Sequence, residues 1–220
     1  MDITRLEKCA LFRELSREET ARALSVLTAR EKEYRKGAVI LSAGKLTERM
    51  GLVLEGSATI ETNDFWGNRT ILSHVGEGEV FAETYAWLRD EIVLVDVVAN
   101  ENCSVLFLAS GVLRAPDPAQ HPWAAKLTAN LLSISAHKNL ALTGRSFHTA
   151  PKSARARIMA YLNTVSLQKR SREFDIPFDR QQLADYLNLE RSAMSKELGR
   201  MRDEGLIRTR KNHFVLLEAE

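Results

Sequence analysis

The stretch Phe178–Leu198 constrains this chain more than any other. It reads as two short helices joined by a tight turn. Leu183, Ala184 and Leu187 make an inward face on the first helix, and Asn188 stands where the turn needs a left-handed residue, a conformation that asparagine tolerates. In the second helix Met194, Leu198 and Met201 recur at i, i+4, i+7 as an apolar stripe. Ser192, Ser195, Lys196 and Gly199 recur at i, i+3, i+4, i+7 on another face, which is small, polar and cationic.

That second face has the chemistry of a helix entering the major groove of DNA. Lys196 suits guanine O6/N7, and Ser192 and Ser195 can donate or accept at bases or phosphates. Arg191 opens the helix, so its guanidinium and the helix N-terminus are both expected to approach phosphate or a base edge. Arg180 and Gln181 at the start of the first helix join this set. Gly205 ends the second helix. Leu206–Arg210 and Phe214–Leu217 then flank Lys211-Asn212-His213, a hairpin with a basic tip, in which Arg208, Arg210 and Lys211 would hold phosphates. The charge distribution agrees. Residues 150–220 carry 14 Lys/Arg against 10 Asp/Glu, whereas the rest of the chain carries 17 against 19.

The earlier part has a different texture. A helix begins near Ser16 and Glu19, which have capping-box spacing after Leu15. From Tyr34 to Leu108, short Val/Ile/Leu-rich runs are punctuated by Gly37, Gly44, Gly51, Gly56, Gly67, Gly76 and Gly78. Val39–Leu41, Gly51–Leu54, Ala58–Glu61, Thr70–Leu72, Ile92–Ala99 and Cys103–Leu108 read as strands of an all-β barrel or double-sheet roll. Pro116, Pro118 and Pro122 break the chain. A long helix follows, in which Trp123, Leu127, Asn130, Ile134, His137 and Ala141 have the alternating spacing of a coiled-coil seam. Leu127, Asn130, Ile134, His137 and Ala141 are therefore the expected dimerisation residues, with Leu131, Leu132, Leu140 and Leu142 left to pack on the roll. Thr143–Lys152, containing Gly144 and Pro151, reads as a hinge, and Ser153–Leu167 as a further helix.

Together these runs and spacings resemble the Crp/Fnr family of bacterial transcription regulators over essentially the whole chain. Gly78-Glu79-Val80-Phe81-Ala82-Glu83 resembles the family's phosphate-binding cassette. The resemblance implies an α+β fold: a cyclic-nucleotide-binding-type β-roll with an N-terminal helix over residues 1–118, a central dimerisation helix over 119–147, and a winged helix-turn-helix over 148–220. It further implies a homodimer on a palindromic operator in double-stranded DNA, contacting RNA polymerase.

The chain departs from the family pattern where ligand chemistry is decided. Cyclic-nucleotide binders hold the cyclic phosphate with an Arg-Ser pair about ten residues after the cassette glutamate. Val93 and Leu94 stand there, Ala82 replaces the cassette glycine, and Glu83 remains. Bidentate arginine recognition has no uncharged substitute, so cyclic AMP is not the expected effector. Phe81, Ala82, Glu83, Thr84, Tyr85, Val93 and Leu94 are the candidate effector-pocket residues. They form a largely apolar site, taking a small metabolite or filled by its own aromatic rings. Cyclic-nucleotide response and haem or redox sensing remain alternative readings. Cys9 and Cys103, the chain's 2 cysteines, cannot supply a four-cysteine iron–sulfur cage, and His74 is the one histidine in the roll. No nucleophile–base arrangement, P-loop or metal-ligand spacing appears, so neither catalysis nor a metal site is expected. With no long apolar run, no membrane association is expected either, and the cytoplasm is the default location.

Overall fold

The computed structural model describes residues 3–63, 69–114, 117 and 121–217. Gly67, Pro116, Pro118 and the expected boundary at 118/119 lie outside these. The chain divides into two compact units, Met1–His137 and Lys138–Glu220.

In the first unit, Ser16 and Glu19 form a full capping box that starts α1 (Arg17–Val26). The strands that follow among the described residues are β1 (Arg30–Tyr34), β2 (Val39–Leu41), β3 (Arg49–Glu55), β4 (Ala58–Asn63), β5 (Arg69–Val75), β6 (Val80–Phe81), β7 (Asp96–Ala99) and β8 (Cys103–Ala109), with the short helix α2 (Glu83–Leu88) after β6. They make two antiparallel sheets ordered β1-β8-β3-β6 and β2-β7-β4-β5. Alternation along β3 and β8 explains the layers. Met50, Leu52, Leu106 and Leu108 join a core with Leu6, Leu11, Leu24 and Trp123, whereas Val53, Cys103 and Val105 join Ala58, Val75, Val97 and Ala99 from the second sheet. The first sheet is thus covered on both faces, by helices and by its companion sheet. Cys103 is the buried strand residue that its neighbours suggested.

Two expectations change here, and one strand appears that the sequence pattern did not suggest. The strand expected over Ile92–Ala99 begins only at Asp96, whose carboxylate is pinned by Ala43 N and Asn63 Nδ2. Before it, Val93 exchanges backbone bonds with Gly44 and Lys45 instead of joining a sheet. β1, of sequence Arg-Glu-Lys-Glu-Tyr, has no apolar alternation and was not legible; it forms because β8 pairs with it from Arg30↔Phe107 to Tyr34↔Cys103. The expected hinge is shorter. Gly144 lies inside α3 (Ala124–Thr149), and the chain leaves helix between Ala150 and Ser153, where Pro151 lacks an N–H and Ser153 caps the next helix.

α3 also corrects the expected seam. Leu127 is fully buried in the core of its own unit, as is Trp123, and Ile134 packs against that core. Asn130 Nδ2 donates to the carbonyls of Leu11 and Arg13 at 3.0 and 2.7 Å. Leu127 and Asn130 are therefore spent inside the unit, because the N-terminal segment buries the one and offers the other two carbonyls. Leu131 does pack inward, but Leu132, Leu140 and Leu142 are exposed, at 70, 69 and 66%. His137 and Ala141 are exposed as well.

The second unit contains α4 (Ala154–Lys169), β9 (Glu173–Asp175), α5 (Arg180–Tyr186), α6 (Arg191–Asp203), β10 (Ile207–Arg210) and β11 (His213–Leu216), the strands ordered β10-β11-β9. Its core joins Ile158, Leu162, Leu183, Leu187, Met194, Leu198, Met201 and Phe214. Among the described residues no helix is long and apolar enough to cross a membrane. The architecture is α+β: a double-sheet roll, a long helix and a winged helix-turn-helix.

Candidate nucleic-acid interface

The α5–turn–α6 unit is set by its caps. Asp179 and Gln182 close a capping box at the start of α5. Asn188 takes φ 52°, and Gly205 takes φ 75° after α6. The last carbonyls of α5, which have no partner within their own helix, are gathered by two arginines. Arg157 Nη1 donates to Leu187 O and Asn188 O at 3.2 and 2.9 Å, and Arg145 Nε donates to Tyr186 O at 3.3 Å. Both place positive charge at the negative end of the helix. Arg155 binds Glu197 at 2.6 Å and both oxygens of Glu204, tying α4 to α6; these bonds raise the guanidinium above its ordinary value, Glu204 contributing most.

Beneath the turn lies a ring cluster of His148, Tyr161, Phe178 and Tyr186, with centroids 4.9 to 5.9 Å apart. His148 is 4% exposed, and burial lowers its pKa from the ordinary value. Burial, aided by Tyr186, pushes the Tyr161 phenol up to about 12. Tyr161 shares its core with the buried Met194, Leu198 and Met201 of α6, and Phe178 and Tyr186 pack against that core.

On α6, Met194, Leu198 and Met201 are buried, and Arg191, Ser192, Ser195 and Lys196 are exposed. Arg191, Ser195 and Lys196 have no side-chain partner among the described residues. Gly199 has open space where a side chain would start. Arg208, Arg210 and Lys211 are exposed, Lys211 at φ 54° in a two-residue turn between β10 and β11. Gln181 instead binds Asp185 within its own helix. Arg180 lies 5.0 Å above the Phe214 ring and donates through Nη2 to Thr209, while Nη1 is buried with no partner among the described residues. Burial lowers the Arg180 pKa from its ordinary value.

One expectation fails at the α6 N-terminus. The free amides expected to meet phosphate are occupied by Glu190. Its side chain accepts from Ser192 N at 3.0 Å, from Ala193 N at 2.8 Å and from the Ser192 hydroxyl. The bond from the Ser192 hydroxyl lowers the carboxyl pKa from its ordinary value, and the two amides add to it. Sequence reasoning missed Glu190 because glutamate is not a preferred N-cap; an acid placed directly before the arginine that opens the helix was the available signal. It also missed Arg145, His148, Arg155 and Arg157, which act through contacts distant in sequence.

The candidate pocket residues of the roll divide. Phe81 is fully buried, edge-on to Phe107 at 6.3 Å, with its ring directly over Gly51, where a Cβ would clash at 2.1 Å. Val93 and Glu83 are buried too, whereas Leu94 is 72% exposed and Thr84 is exposed. Tyr85 Oη accepts from Leu94 N at 3.4 Å, bringing these two together. Ala82 holds φ 58°, the left-handed region that glycine would occupy without strain. Arg89 Nη2 lies beside Gly111, 3.0 Å from where a Cβ there would be. His74 is exposed. Among the described residues no cluster of His, Cys, Asp or Glu could hold a metal.

The cyclic nucleotide-binding domain family model matches residues 31–115, and the Crp-like helix-turn-helix domain model matches residues 156–220. Among solved structures the chain is similar to the catabolite activator protein of Thermus thermophilus, at 26% identity and TM-score 0.50, covering 96% of this chain and 94% of that one. It is similar to the c-di-GMP-responsive global regulator CLP of Xanthomonas campestris, at 16% identity and TM-score 0.59, covering 93% and 100%. It is also similar to a second Thermus thermophilus protein, a transcriptional regulator of the CRP/FNR family, at 22% identity and TM-score 0.50, covering 86% and 94%. No curated protein matches the chain. With both domain models matched in order along its length, the chain belongs to the Crp/Fnr family of DNA-binding transcription regulators.

Proposed function

We propose that the chain acts as a homodimer on a two-fold palindromic operator, gated by an effector other than a cyclic nucleotide. The observation that carries the reading is the outer face of α6, where Arg191, Ser195 and Lys196 stand exposed and without partners among the described residues. Base edges and phosphates are what such a face can satisfy. The pairing surface is the exposed side of α3, not the seam through Leu127. Ala125, Ala129, Leu132 and Ala136 follow 4-3-4 spacing and are all exposed, and Leu140 and Phe147, at 69 and 70%, are further exposed apolar positions on this helix. Contact with RNA polymerase rests on the family resemblance.

The roll supports an effector that is not an anionic cyclic phosphate, because Val93 is buried and both Val93 and Leu94 are uncharged. The full burial of Phe81 favours a second reading, in which the roll is filled by its own rings and the regulator works without ligand. Selection of duplexes from a random library by the purified chain tests the operator reading. The expected product is an inverted repeat with half-site centres one helical turn, ~34 Å, apart. Enrichment of nothing, or of an unrepeated half-site, overturns it. Native mass spectrometry of the freshly purified chain separates the two effector readings by the presence or absence of a bound small molecule.

A further inference from the structure

The N-terminus of α6 is closed by a carboxylate, and this changes what the helix can read. Glu190 Oε1 accepts one bond, from Ser192 N; Oε2 accepts two, from Ala193 N and the Ser192 hydroxyl. An ionised carboxylate has about four acceptor positions. Three are used, and the open one belongs to Oε1, on an exposed residue adjoining the exposed Arg191. A phosphate oxygen has no proton to give to that position and is repelled by its charge. In the major groove the donors are the exocyclic amino groups of cytosine and adenine; guanine offers only acceptors there, and thymine an acceptor and a methyl group.

We propose that Glu190 is a specificity-determining residue of the DNA interface, accepting a hydrogen bond from a cytosine N4 or adenine N6 amino group and keeping phosphate off the recognition helix's N-terminus. The inference rests on the operator-binding reading above and deepens it. Glu190 and Arg191 then form an adjacent acceptor and donor, able to read neighbouring bases of opposite pattern. Ser192 takes a different part from the one its position suggested. Its hydroxyl proton is committed to Glu190, so it orients the carboxylate and approaches a base only as an acceptor. Bonds from two amides and a hydroxyl keep Glu190 ionised and therefore acceptor-only.

Full-length wild-type, Glu190→Ser and Glu190→Gln chains would be compared by selection from a randomised duplex library and by salt-dependent binding to the selected duplex and to unrelated DNA. Serine is itself a favoured N-cap, so α6 keeps its start in the first variant, and circular dichroism checks this. The expected result is loss of roughly ten-fold or greater discrimination at one base pair in each half-site. Glu190→Ser should also bind unrelated DNA more tightly, with a salt slope steeper by about one, as loss of the carboxylate's charge lets a phosphate approach the still-capped N-terminus. If the wild type selects a sequence and Glu190→Ser keeps the same preference at every position, the Glu190 assignment is overturned alone. If the wild type selects nothing, the operator reading is overturned and this inference with it.

Discussion

His148 donates its Nε2 proton to Thr164 Oγ1 at 2.9 Å, because the Thr164 hydroxyl proton is already given to Ala160 O at 3.0 Å. That fixes the tautomer: Nδ1 is the acceptor, and it takes the Tyr186 hydroxyl proton at 2.9 Å. The buried imidazole is thus satisfied as a neutral ring. Protonation would put a second N–H against Tyr186 and force that hydroxyl to find another acceptor.

A pH dependence follows from this arrangement. Burial lowers the His148 pKa, so below pH 6.5 the unfolded chain takes up the proton first. Stability is then expected to fall with pH from about 6.5 down to the folded-state value, by at most about 1.4 kcal/mol per pH unit for one proton, and to be unaffected by this group above that window. Urea unfolding of wild type and His148→Gln at pH 5 to 8 checks it. The difference between the two chains should shrink as pH falls, and a constant difference would show that the ring does not titrate against folding.

Arg180→Met keeps an unbranched side chain of comparable reach but removes the cation from above the Phe214 ring. Affinity for all duplexes, selected or random, should drop together, and the salt slope should lessen by about one. Fluorescence anisotropy at several salt concentrations measures both. Loss confined to one sequence would place Arg180 at a base instead.

Lys196→Ala should behave in the opposite way. It is expected to cost about 1–3 kcal/mol on the selected operator and little on random DNA, since a base contact carries discrimination. Competition binding against operators substituted one pair at a time should locate the affected position.

The two faces of α3 give a matched pair of substitutions. Leu132→Asp puts a charge on the exposed side and should shift sedimentation towards monomer without lowering the unfolding midpoint at matched dilution. Leu127→Ala empties a fully buried position and should cost about 2–5 kcal/mol of stability while the exposed pairing face stays intact. If Leu132→Asp leaves the assembly unchanged, the pairing surface lies elsewhere.

Ala82→Gly tests strain in the cassette. Relief of a left-handed alanine, offset by greater freedom of the unfolded chain, should give a net gain of roughly 1 kcal/mol or less in urea unfolding.

The helix-turn-helix was legible because its information is local: caps, a stripe at helical spacing and a left-handed asparagine all lie within a few residues of one another. The long helix was legible as a helix but not in its rotation. Trp123, Leu127 and Asn130 have seam spacing, yet the N-terminal segment and the roll claim that side, and only tertiary contacts reveal it. Val93 shows the same limit in the strand run, since its partners Gly44 and Lys45 lie some fifty residues upstream. Arg145 and Arg157 were invisible for a like reason, because the carbonyls that they gather exist only once α5 has ended.

β1 has a consequence for how this protein behaves at concentration. It forms the margin of its sheet, with β8 on one side and, among the described residues, no strand on the other. Its residues Arg30, Glu31, Lys32 and Glu33 are exposed and alternate in charge. A neighbouring molecule approaching that margin to extend the sheet would have to strip water from four ions in register, and a one-residue slip would set like charges opposite each other. The strand that looked least like a strand is therefore a guard against edge-to-edge extension of the sheet.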